Sequence, residues 1–178
     1  MNSEARAHLK QLLEGQRVLS VAVVIEGEPQ LGLLPFAVLP DHSGVLVHVS
    51  ALAKHTRGLA AGAKVGLLIH QSEEAISDPL QVPRVSLQAE VGELRRGSPH
   101  YEDAKSRYLA RFPQAGVTFG LADFKLLELT FLDGRYIEGF ARAMNISSDD
   151  LRAMAPPEQP HPDSEPMHNR AFWKVQED

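Results

Sequence analysis

With 178 residues, 43% of them apolar, the chain is long enough to bury a full core and falls within the size of one domain. Eighteen basic against twenty-three acidic residues leave a formal charge of -5, so no general field draws in nucleic acid or an anionic membrane, and any phosphate site has to be a local cluster. Cysteine is absent, which removes disulfides, thiolate metal sites and a cysteine nucleophile and fits a reducing compartment.

Met1 to Arg6 is polar and lacks the apolar stretch of a secretion signal. No apolar run approaches the roughly 20 residues that cross a bilayer, so a cytoplasmic protein without membrane contact is expected. Ala5, Leu9, Leu12 and Leu13 recur at helical spacing behind Ser3 as a cap, and Gly15 stops the run. Arg17 to Glu26, rich in valine, predicts a strand that turns at Gly27-Glu28-Pro29. Leu31 to Leu39 and Val45 to Val49, separated by the turn residues Pro40 to Gly44, complete a meander. Ser50 to Ala61 carries helix formers and ends at Gly62, after which Lys64 to His70 returns to a strand pattern.

From Arg84 to Leu94, Val85, Leu87, Ala89 and Val91 alternate with Arg84, Ser86, Gln88 and Glu90, giving one apolar and one polar face. Tyr101 to Phe112 predicts a helix, which Pro113 either ends or follows with a second, shorter one. Asp133-Gly134 then carries hairpin chemistry between Lys125–Leu132 and Arg135–Phe140. The whole is mainly β with α decorations: a small antiparallel barrel of six or seven strands, with an αβ sandwich as the competing architecture. Residues 1–145 form the domain, and residues 146–178 supply a C-terminal helix and a proline-rich tail. Pro156, Pro157, Pro160, Pro162 and Pro166 keep that tail from building a core, so it is either disordered or laid along a partner subunit, with Phe172 and Trp173 as anchors.

Chemistry concentrates in Ser50-Ala51-Leu52-Ala53-Lys54-His55-Thr56-Arg57, where a strand hands over to a helix. A helix cap at Ser50, free first-turn N–H groups and the side chains of Lys54, His55, Thr56 and Arg57 are what a phosphate needs. Spacing alone favours the simpler reading, a cap followed by solvated charges. The polar face of Arg84, Ser86, Gln88 and Glu90 is likewise read first as solvated, and second as a hydrogen-bonding surface for a flat heteroaromatic ring. His48 in an apolar strand reads as a core histidine, the eight histidines form no close metal pair, and no glycine-rich nucleotide fingerprint, P-loop or nucleophile elbow is present. No catalytic residue is singled out.

Several segments in order change that balance: Gly27-Glu28-Pro29, Leu34-Pro35-Phe36-Ala37, Ser50 to Arg57, Asp78-Pro79-Leu80, Pro83-Arg84-Val85-Ser86-Leu87, Tyr108 to Pro113, Asp123-Phe124, and Tyr136-Ile137-Glu138-Gly139-Phe140-Ala141-Arg142-Ala143. Over roughly residues 5 to 145 the chain resembles the FMN-binding split barrels related to pyridoxamine 5'-phosphate oxidase, particularly the branch with haem-utilisation proteins. The resemblance implies a split β-barrel homodimer with FMN at its interface, oxidoreductase activity on a small-molecule substrate, and no nucleic-acid partner. It further implies Ser50, Lys54, His55 and Thr56 as phosphate contacts, Arg57 nearby, Arg84 beside the ring or phosphate, and backbone from Leu33 to Phe36 along the ring. Gly32 stands where a serine is usual, Gly58 replaces an asparagine, and Ala89 and Ala141 take common glycine positions, which predicts weakened or lost flavin affinity. Two alternatives follow on the same barrel: a haem binder with His48, His161 or His168 as axial ligand, or a cofactor-free binding dimer.

Overall fold

The computed structural model describes residues 1–74 and 76–156. Helix α1 (Ser3–Gly15) opens the chain, capped by the Asn2 side chain, which accepts the Ala5 amide at 2.8 Å. Ser3 is thus the first helical residue, and the expected cap moves one position back. Strands β1 (Val18–Ile25) and β2 (Glu28–Val38) follow as a hairpin. Its turn is Glu26-Gly27, both at positive φ (54° and 83°), the twist that a two-residue hairpin loop requires.

Strands β3 (Gly44–Ser50), β4 (Lys64–His70), β5 (Arg84–Glu93) and β6 (Phe124–Gly139) complete the barrel. The sheet runs β3-β2-β1-β4-β5-β6, and antiparallel pairing of β3 with β6 closes it into six strands. Strand β7 (Arg142–Ser147) adds a seventh on the free side of β6. Helices α2 (Pro99–Arg111), α3 (Gly116–Phe119) and α4 (Ser148–Arg152) decorate the outside. The expected mainly β split barrel with helical additions is the observed architecture. Among the described residues no helix is long and apolar enough to cross a membrane.

Alternation puts Leu19, Val21 and Val23 of β1, Val85, Leu87, Ala89 and Val91 of β5, and Leu127, Leu129 and Phe131 of β6 inside the barrel, with Leu9 and Leu13 of α1 packed on them. Ile146, Leu151 and Met154 join the same core. A second cluster joins Tyr101, Ala104 and Tyr108 of α2 to Ala37, Leu46 and Leu126 on the outer side of β2, β3 and β6.

Two expected elements are not formed. The helix over Ser50 to Ala61 is replaced by a single 3-10 helix, Lys54–Gly58. Strand β3 runs on through Ser50, the Ala51 amide is held by the Asp123 carbonyl, and Ala53 stays extended (φ -73°, ψ 131°), so the first helical residue is Lys54. The Asp133-Gly134 hairpin is also absent, because β6 passes straight through both residues. Gly134 serves close approach instead: a Cβ there would stand only 2.3 Å from the Ser86 carbonyl oxygen, beside a register shift at Gln88/Ala89. The chain reverses at Phe140-Ala141 instead, with Ala141 at φ 59°.

Candidate functional site

Leaving β3, the chain crosses one end of the barrel, and Ser50 fastens that crossing. Its hydroxyl donates to Asp123 Oδ2 at 2.8 Å and accepts the Leu52 amide at 3.1 Å, so its one proton is already committed within the protein. The N-cap of the 3-10 helix is Ala53, which supplies no side-chain cap. Five residues generate little macrodipole, so any anion held here is held by side chains.

Four of the six expected residues come together in this turn. Lys54 and Arg57 are exposed cations. Arg57 reaches Glu26 Oε1 at 3.3 Å in an exposed ion pair, a weak contact that a competing anion can replace. The His55 ring lies directly against Gly32 of β2, where a Cβ would stand 2.6 Å from His55 Cγ. A Cβ at Gly58 would meet Val23 at 2.6 Å. The two glycines that depart from the resembled pattern are therefore packing requirements of this turn: Gly32 seats the imidazole, and Gly58 lets the chain lie on β1. His55 Nε2 and Thr56 Oγ1 are shielded from solvent and have no hydrogen-bond partner among the described residues. Two unused polar groups beside two exposed cations fit a phosphate or carboxylate edge.

Arg84 is not part of this cluster within one chain. It opens β5 opposite His70, with its guanidinium donating to the Val82 carbonyl at 2.9 Å. The turn instead packs on the Val23 end of β1, which lies by Lys64 at the other end of β4. Six residues of strand separate the two positions, roughly 20 Å at about 3.3 Å per residue.

Around the rim from Gly32, the outward face of β1, β2 and β4 is apolar and open. Val24, Leu31 and Leu33 are exposed there, and a shallow cleft of about 610 Å³ is lined by Ser20, Ala22, Leu31, Gly66, Leu68 and Gln88. Ala22 and Gly66 pair across β1 and β4 and keep its floor flat. Ser86, Gln88 and Glu90 lie on the outward face as their alternation predicts. Sequence reading missed this surface, although leucine at 31, 33 and 34 places apolar groups on both faces of β2 and is the signal that exposes it.

His48 is a core residue. It stacks on Phe119 with ring centroids 3.9 Å apart, edge-on to Tyr108, and Nδ1 lies 3.3 Å from the Thr118 hydroxyl. Burial pushes its pKa down to about 4, and enclosure among three aromatic rings leaves no room for a haem iron. His161, His168, Phe172 and Trp173 lie outside the described residues.

No family model matches the chain. The haem oxygenase HutZ of Vibrio cholerae is 25% identical over 147 residues, covering 80% of this chain and 81% of HutZ. Among solved structures, a haem-binding protein from Mycobacterium smegmatis superposes with a TM-score of 0.75 at 21% identity, over 86% of this chain and 62% of that one. A protein of the pyridoxine phosphate oxidase family from Clostridium acetobutylicum superposes with a TM-score of 0.63 at 12% identity, over 85% and 99%. These two structures share the fold with the chain.

Proposed function

We propose that this chain, which carries the split barrel of the pyridoxamine 5'-phosphate oxidase-like proteins and among them resembles the haem-utilisation branch, works as a homodimer that binds haem. The main support is that the chain carries both a flat apolar face, Leu31 and Leu33 with the Ala22-Gly66 floor, and a polar turn of Lys54, His55, Thr56 and Arg57 on the other side of β1 and β2, which the proposed dimer brings against the apolar face of the second copy. A planar tetrapyrrole asks for that combination: apolar surface for the ring and cationic donors for its carboxylates. Both the curated relative and the Mycobacterium smegmatis structure are named for haem. Bound haem supplies an iron for redox chemistry, while the chain holds and orients the ring and excludes water from its faces.

FMN is the second reading, favoured by the same donors, which suit a phosphate equally well, and by the fold shared with a structure of the pyridoxine phosphate oxidase family. In that case Ser50 fixes the loop, Lys54, His55, Thr56 and Arg57 take the phosphate, and Arg84 approaches from the second copy.

Titration of the purified full chain with haem and, separately, with FMN, followed through gel filtration, separates the two. Haem retention with a Soret band, weakened at least tenfold in Lys54→Ala/Arg57→Ala and lost in His161→Ala or His168→Ala, is the expected outcome. Retention of FMN alone transfers the site to a flavin. Release of both leaves a cofactor-free binding dimer.

A further inference from the structure

The two cations of the 3-10 turn are not alike in their surroundings. Lys54 and Arg57 lie three residues apart in a helix of three residues per turn, so both side chains leave it on one edge. Arg57 is paired with Glu26 Oε1 at 3.3 Å, with the two side chains 61% and 81% exposed. Lys54 has no ion-pair partner among the described residues. Glu93, which shares a shallow hollow with Arg57, is already taken by Lys125 at 3.0 Å.

Glu26 is not the residue that its place in the backbone favours. A two-residue hairpin loop with both residues in the left-handed region takes asparagine, aspartate or glycine at its first position, and Glu26 stands there at φ 54°. An unfavourable backbone held at an exposed loop points to a use for the side chain. The side-chain hydrogen bond that Glu26 makes among the described residues is the one it accepts from Arg57. Glu28, exposed just beyond the same loop, makes no ion pair among the described residues.

We propose, resting on the assignment of this turn to the anionic edge of a ligand, that Glu26 is its resident counter-anion and determines its specificity. The Glu26 carboxylate holds Arg57 until a ligand displaces it, and thereby selects an edge of double negative charge over a single carboxylate. A free monocarboxylate merely replaces a like group, and the one it replaces is tethered at an effective concentration on the order of millimolar. A phosphate monoester or two neighbouring carboxylates can meet Arg57 and Lys54 together, and the contact with Lys54 is an increment that Glu26 does not supply. Exposure makes the exchange easy, since the displaced glutamate returns to water.

The test compares the full wild-type chain with Glu26→Gln and Glu28→Gln. Haem and FMN are followed for retention, and inorganic phosphate and acetate, as bare anions, by the amide NMR shifts of residues 54–58. Glu26→Gln should bind phosphate and any retained cofactor about two- to fivefold more tightly than wild type, the range set by an exposed ion pair. Acetate should shift the turn in Glu26→Gln at concentrations that leave wild type unmoved. Glu28→Gln removes the same charge and should stay close to wild type, because salt screens a charge that touches neither cation. Equal tightening in both variants assigns the effect to net charge and overturns the proposal, as does acetate binding wild type as well as phosphate does. A cofactor retained equally by wild type and Glu26→Gln removes the role of Glu26 and leaves the cofactor reading standing. Phosphate binding strengthened in Glu26→Gln, in a chain that retains neither haem nor FMN, upholds Glu26 and removes the cofactor reading. No shift of the turn by phosphate in any of the three chains sinks the counter-anion role.

Discussion

At the scale of single residues, the sharpest test is Gly32. Serine there places a Cβ where the His55 ring now sits, so the imidazole or β2 has to move. Overpacking of this kind costs about 1–3 kcal/mol. We expect Gly32→Ser to lower the melting temperature by several degrees and to weaken ligand retention by the turn, both readable in one thermal melt with and without haem. His48 carries the pH dependence of the fold. Its folded pKa of about 4 lies below the unfolded value near 6.5, so the unfolded chain takes up the proton first. Stability is therefore complete above about pH 6.5 and falls as the pH drops toward 4, by at most about 3 kcal/mol. His42, also lowered chiefly by burial, acts in the same direction. Urea unfolding at neutral and acid pH should show this loss in the parent chain and a smaller one in His48→Phe.

At the scale of elements, β6 is the strand to perturb, because it pairs with β5, β3 and β7. Gly134→Ala forces a methyl toward the Ser86 carbonyl and should cost about 1–3 kcal/mol, whereas Gly116→Ala, with open space around it, should be neutral; equilibrium unfolding of the two variants decides. The same glycine shows where sequence reading stops. Asp133-Gly134 has the composition of a turn, yet what glycine answers there is crowding from β5, which no local pattern reveals. Whereas β6 was read as two strands and β7 was not read at all, strand existence was legible from β1 to β5, since alternation in β1, β4 and β5 reports burial directly. The helix expected after Ser50 was not, because the Asp123 contacts that hold the crossing come from more than seventy residues away. Lys54, His55, Thr56 and Arg57 were legible as a cluster by simple adjacency, while Ser50 as an anchor and the distance of Arg84 both required the barrel to be closed.

For the whole molecule, the exposed leucines of β2 set the expected assembly. An open apolar face that carries Val24, Leu31 and Leu33 suits burial against a symmetric copy, and a two-fold arrangement is the simplest one that lets Arg84 of one chain approach the Lys54–Gly58 turn of another. Leu31→Glu/Leu33→Glu should leave circular dichroism intact, shift elution in gel filtration and light scattering from dimer to monomer, and reduce haem or flavin retention with it. A dimer that survives both charges moves the interface elsewhere.

Closure of the barrel also fixes an order of events. The β3 and β6 partners, Gly44 with Thr130 and Ser50 with Phe124, lie far apart along the chain. During synthesis, at about 5–20 residues per second, the edge of β3 therefore waits several seconds for its partner, with its backbone donors and acceptors open to neighbouring chains. Damage to β6 should consequently appear in cells first as insoluble protein, and only afterwards as a lowered melting point in the fraction that escapes.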